Sequence, residues 1–179
     1  KSLPQIVEEE FFRKLADKDF MRIAVLLARK GYNEGGCPIG GVVISNDTRQ
    51  ILGKGHNTLV QENHPYNHGE TSAIRDSGRQ DFSQTTIFTT LSPCDVCTTL
   101  LYRPQFKRVV GDDVTNASGN EAPLRRKGVR STFRRIPRAL RSRRNIEPRN
   151  LTKTWKTGKA WRPYEKMGNW VEARDYVLN

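Results

Sequence analysis

No apolar run in the sequence approaches bilayer-spanning length, and no positively charged leader precedes a hydrophobic stretch. Neither a membrane partner nor secretion is therefore expected. Three matches to the glycosylation sequon (NDT, NAS and NLT) carry little weight without a secretion signal. Cysteine is scarce and odd in number, three in all, and two of the three sit in one C-x-x-C. A secreted disulfide scaffold needs evenly paired thiols. The pattern points instead to metal or thiol chemistry in a reducing cytoplasm, with the nucleus also open. No internal repeat is visible.

Net charge is missing from most of the chain. Residues 1–116 hold 14 Lys/Arg and 14 Asp/Glu, whereas residues 117–179 hold 17 and 5, which accounts for the whole formal charge of +12. A length of 179 residues fits one domain with a full hydrophobic core. The charge break divides it into an expected domain core over 1–116 and a basic C-terminal region over 117–179.

Along the first segment, apolar spacing predicts helices over residues 4–16 and 18–31, the second capped by Asp17 or Asp19 and ended by Gly31. The second is apolar almost all round, so it is expected to lie buried between other elements. GGVVISN and ILGKGHN flank DTRQ as a hairpin. A helix follows from about His68 to Ser77, then the β-branched strand TTIFTTL, a helix from Pro93 or Cys94 that Pro104 ends, and the strand FKRVVGDDV. Two adjacent strands followed by helix, strand, helix, strand predict an α/β fold, a three-layer α/β/α sandwich with a mixed sheet.

Two short motifs carry chemistry. In HPYNHGETSAI, Glu70 follows His68 with one residue between, and LSPCDVC places Cys94 and Cys97 three apart. A catalytic zinc takes three protein ligands and leaves a fourth position for water. His68, Cys94 and Cys97 supply one imidazole and two thiolates for a single zinc. A C-x-x-C at a helix N-terminus directs both sulfurs to one point, where the terminal N–H groups favour thiolate. Two residues are about 200° of helix, so Glu70 cannot sit beside His68 on a mid-helix face. At a first turn it can, and there its carboxylate would move the proton of the attacking water. A redox C-x-x-C lacks a thioredoxin-like context here. A structural zinc site would want a fourth ligand, for which His56 and His64 are available. Neither alternative explains Glu70. H-x-E followed by P-C-x-x-C is the signature of zinc nucleobase deaminases.

At these residues the chain resembles the cytidine and deoxycytidylate deaminase superfamily, and within it fungal cytosine deaminase. The resemblance runs from about Asp19 to Val114 through GYNEGGCPIGGVVI, GKGHN, HGE, TTLSPCDVC and RVVGDD. It implies a five-stranded mixed sheet between helices, a homodimer, and hydrolysis of cytosine, a small nucleobase, to uracil and ammonia in pyrimidine salvage. It also implies that His68, Cys94 and Cys97 hold the zinc and that Glu70 is the general acid/base. Asn57 would bond the pyrimidine edge through an amide that offers donor and acceptor; the alternative is a turn residue that ends its strand. Gly69 would contact the base through its backbone N–H, and Ile39 would form an apolar pocket wall or serve as plain core. Cys37 is expected to be a buried small hydrophobe, His64 a loop residue, and Asp95 an N-terminal helix residue.

Beyond Val114 the resemblance fades. The family's aromatic position near the pocket falls on Asn116, GVRS could begin a fifth strand without the expected apolar run, and Trp170 with Glu172 or Asp175 is the candidate for the acidic closing helix. Three explanations stay open: a basic extension that binds nucleic acid through Arg/Lys and Trp, a solvated tail without a partner, or a shifted reading frame. Two alternative functions accompany them. One is a tRNA adenosine deaminase, against which Ser92 stands where those enzymes typically carry Glu. The other is an inactive nucleic-acid-binding protein on a deaminase scaffold.

Overall fold

The computed structural model describes residues 3–113 and 120–133. In chain order the elements are α1 (Leu3–Lys14), α2 (Asp17–Asn33), β1 (Gly40–Ser45), β2 (Ile51–His56), α3 (Gly69–Ser77), β3 (Thr85–Leu91), α4 (Asp95–Tyr102), β4 (Arg108–Asp113), α5 (Glu121–Arg126) and β5 (Arg130–Phe133). The strands form one sheet in the order β2-β1-β3-β4-β5. β1 runs antiparallel to β2 and β3, while β3, β4 and β5 run parallel. This is the three-layer α/β/α sandwich with a mixed sheet that the element order predicts.

Alternation along the strands divides the core into two layers. Val42, Ile44, Phe88 and Val110 face Phe12 of α1 and Phe20, Ile23, Ala24 and Leu27 of α2. Val43, Ile87 and Val109 face Ala73 of α3, Leu101 of α4 and Leu124 of α5. The second helix thus packs on one face of the sheet and keeps Arg22, Arg29 and Lys30 exposed, a flank helix where its sequence suggests a sandwiched one. It also runs two residues past Gly31, and Asp19 caps it by accepting the Ala16 N–H at 2.9 Å.

Steric room explains how closely α3 lies on the sheet. A Cβ at Gly55 of β2 would stand 2.6 Å from the Ser72 Cβ and 2.8 Å from its carbonyl carbon. Only a bare backbone allows that approach.

The sheet does not stop at the charge break between residues 116 and 117. α5 packs Leu124 into the core, and β5 pairs with β4 from Arg108↔Arg130 to Gly111↔Phe133. β5 is the sheet's edge, and its exposure alternates. One apolar contact, Phe133 lying over Gly111, therefore serves where a central strand would need an apolar run. Asn116, Trp155, Trp161, Trp170, Glu172, Asp175 and most of the basic region lie outside the described residues.

Candidate active site

The starts of two helices converge. His68 precedes α3 and Cys94 precedes α4, both in the extended N-cap conformation (φ −78°, ψ 169° and φ −71°, ψ 176°). Neither side chain caps its own helix. Both are aimed across the gap instead. His68 Nδ1 lies 3.5 Å from Cys94 Sγ and 3.4 Å from Cys97 Sγ, and all three donor atoms fall within 4.8 Å of one another.

These spacings suit a shared metal. Zn–S bonds of about 2.3 Å and Zn–N bonds of about 2.0–2.1 Å at a tetrahedral angle put N and S about 3.6 Å apart. The trio fits one zinc ion, with a fourth position left open. Among the described residues no fourth His or Cys joins the group. His56 Nε2 is 2.7 Å from Glu34 Oε2, and exposed His64 accepts the Tyr66 N–H. The structural-zinc alternative therefore lacks its fourth ligand here.

The electrostatics of the trio's own side chains follow from these contacts. Hydrogen bonds from Cys97 and His68 outweigh burial and pull the Cys94 thiol down to about 3. The same bond to Cys94, with burial, pushes the Cys97 thiol far up. His68 is raised chiefly by its bond with Cys94, against the opposing effect of burial. Glu70 is buried, 3% exposed, and burial raises its carboxyl above the ordinary value. Its carboxyl group also feels the charges of Cys94 and His68. The geometry resolves the one-residue spacing. His68 lies outside the helix, so its side chain is not bound to the 100° step, and Glu70 in the first turn shares its side of the site.

A second cluster forms beside the trio. The Asn57 N–H donates to the Ile39 carbonyl at 2.8 Å, and a Cβ on Gly69 would stand 2.8 Å from that same oxygen. Ile39, Asn57 and Gly69 thus meet at the start of α3. Asn57 is buried, and its Oδ1 accepts the Leu59 N–H at 3.1 Å. It is a turn residue, as one reading of the sequence has it, and its NH2 group is the end not used by that turn. Ile39 is half-buried. Cys37 lies buried outside the trio, with its thiol pushed up by burial. Asp95 is exposed in the first turn of α4.

Sequence reasoning missed one pair of contacts. Ser92 Oγ donates to Glu121 Oε1 at 2.7 Å, and Asn120 Nδ2 donates to the Pro93 carbonyl at 2.9 Å. The start of α5 therefore grips the turn that leads into Cys94. A signal was present in GNEAPL: an Asn at a helix start, followed by Glu and by Pro in the first turn.

The model of the cytidine and deoxycytidylate deaminase zinc-binding region matches residues 15–111. A cytosine deaminase of Candida albicans is 43% identical over 116 residues, covering 63% of this chain and 77% of that one. A tRNA-specific adenosine deaminase of Buchnera aphidicola is 32% identical over 99 residues, 53% of this chain and 60% of the relative. Among solved structures, a guanine deaminase from Nitrosomonas europaea superposes with a TM-score of 0.59 at 18% identity, covering 66% of this chain and 78% of that one.

Proposed function

We propose that this chain, which belongs to the cytidine and deoxycytidylate deaminase family, removes the exocyclic amine of free cytosine by hydrolysis, giving uracil and ammonia. It is a zinc-dependent hydrolase acting on C–N bonds; the choice of base is the finer step. One observation carries the reading. A carboxyl group, Glu70, is buried beside a His/Cys/Cys trio that leaves one metal position open. The 43% identity to a cytosine deaminase supports cytosine as the base.

When bound, zinc supplies a Lewis acid that acidifies water in its open position. The Glu70 carboxylate takes one proton from the attacking water and gives it to the ring nitrogen, then takes the second from the new C4 hydroxyl and gives it to the leaving amine. The C4–N bond breaks, a carbonyl takes its place, and ammonia departs. The Asn57 amide and the Gly69 backbone N–H hold the pyrimidine edge, and Ile39 lines the pocket wall. On this reading the enzyme is a homodimer that serves pyrimidine salvage in the cytoplasm.

The relatives named as tRNA-specific adenosine deaminases favour a second reading, hydrolysis of adenosine in RNA. Ser92 speaks against it, because those enzymes typically carry Glu before Pro-Cys; here the Ser92 hydroxyl is buried and occupied by Glu121. Residues 1–116 are also neutral and offer no phosphate footprint. Ammonia release by the purified zinc protein from cytosine, cytidine, guanine and a tRNA anticodon loop decides. Turnover of cytosine is expected; turnover confined to the RNA would replace the first reading with the second.

A further inference from the structure

We propose that Asn120 and Glu121, at the start of α5, are positioning residues of the metal centre, holding the Ser92–Pro93 turn that presents Cys94. The two contacts act on adjacent residues of that turn: Glu121 accepts the Ser92 hydroxyl, and Asn120 donates to the Pro93 carbonyl. Both targets are buried, Ser92 to 2% exposure, so their polar groups depend on protein partners.

The Pro93 carbonyl belongs to the peptide plane shared with the Cys94 nitrogen. Holding that oxygen restrains the plane, and with Cys94 at φ −71° this sets the direction in which its Cα–Cβ bond leaves the backbone. Cys94 has no cap bond of its own to orient it. α5 is a firm support. Leu124 is fully buried with Leu101 of α4, and the strand that follows pairs with β4. Orientation by such outer contacts commonly sets metal affinity. The metal centre thus extends past residue 116, into the segment where composition changes. This inference rests on the assignment of the metal to His68, Cys94 and Cys97.

The test uses the full chain and its variants Glu121→Ala, Glu121→Gln, Asn120→Ala and Arg125→Ala. Zinc affinity is measured by chelator competition, and ligand geometry by the absorption spectrum of the cobalt-substituted protein. Glu121→Ala and Asn120→Ala are expected to weaken zinc binding by about 10- to 100-fold and to alter the cobalt–thiolate bands. Glu121→Gln keeps an acceptor for Ser92 and should stay within about threefold of the parent. Arg125, on the same helix, bonds Ser131 rather than the turn, so Arg125→Ala should leave both readouts unchanged.

The proposal is overturned if Glu121→Ala and Asn120→Ala bind zinc within about twofold of the parent with its cobalt spectrum. It is also overturned if Arg125→Ala weakens zinc as much as they do, since the effect would then be loss of α5 as a whole. Should Glu121→Ala not fold, Asn120→Ala decides by the same criteria. A parent chain that takes up no metal removes the metal assignment itself, an outcome separate from a parent that binds and variants that match it.

Discussion

His68 Nδ1 lies 3.4 Å from Cys97 Sγ, although 29 positions separate the two residues. Each sits at the start of its own helix, and sheet packing brings the two starts together. Removing either donor leaves two ligands, too few for a stable zinc site. His68→Ala and Cys97→Ala are each expected to drop zinc content from about one per chain towards none by elemental analysis. All three ligands bind metal in their deprotonated forms, so zinc affinity should fall as pH is lowered. Chelation should abolish turnover, and added zinc should restore it.

A methyl group at Gly69 would meet the Ile39 carbonyl oxygen at 2.8 Å and its carbon at 3.1 Å. Both are backbone atoms and cannot swing aside. Gly69→Ala is expected to cost about 1–3 kcal/mol in denaturant unfolding. It should also lower kcat/KM beyond any loss of folded protein, since Glu70 is the next residue. Unchanged stability and turnover would mean that α3 need not approach β1 so closely.

Asn57 serves its turn through Oδ1, and in the proposed reaction its NH2 group meets the base. Asn57→Asp preserves the turn acceptor and removes the donor; Asn57→Ala removes both. Both should lower kcat/KM by about 30-fold, equivalent to about 2 kcal/mol. Only the alanine variant should also lose the turn's contribution to stability. Full activity in Asn57→Ala would confine Asn57 to its turn.

Asp17 ties α2 to the β1–β2 turn and to β4: its carboxylate meets Arg49 at 3.0 Å and Arg108 at 2.7 Å. Partial burial opposes its charge, but the two arginine hydrogen bonds outweigh that and hold its pKa below the ordinary value. A carboxylate with a lowered folded pKa stabilises the fold above its unfolded pKa, and the contribution is lost as pH falls through the folded one. Asp17→Asn should therefore reduce stability at pH 7 by about 0.5–1 kcal/mol, a modest figure because the pairs are partly solvated. The difference from the parent should vanish in acid, below the ordinary carboxylate range. A difference that persisted there would assign the effect to packing.

The zinc trio and Glu70 were legible because their chemistry lies in short spacings within HGE and PCDVC, and local spacing survives folding. The three layers and the mixed sheet were legible from the succession of elements. α2 was harder: its apolar residues run almost all round, yet the sheet takes one face and Phe12 of α1 shares the cluster. The contacts from α5 to the Cys94 turn were hidden because Ser92 and Glu121 are 29 residues apart and Glu121 belongs to no motif. β5 was easy to discount for want of apolar residues, since nothing local marks RSTF as an edge strand with one face to fill.

The most direct measurement is zinc content and ammonia release from cytosine on a single preparation of Glu70→Gln, beside the parent. Zinc should remain near about one per chain, with ammonia release lower by about 10²- to 10⁴-fold. Turnover within about tenfold of the parent, with zinc in place, would contradict a proton-carrying role for Glu70.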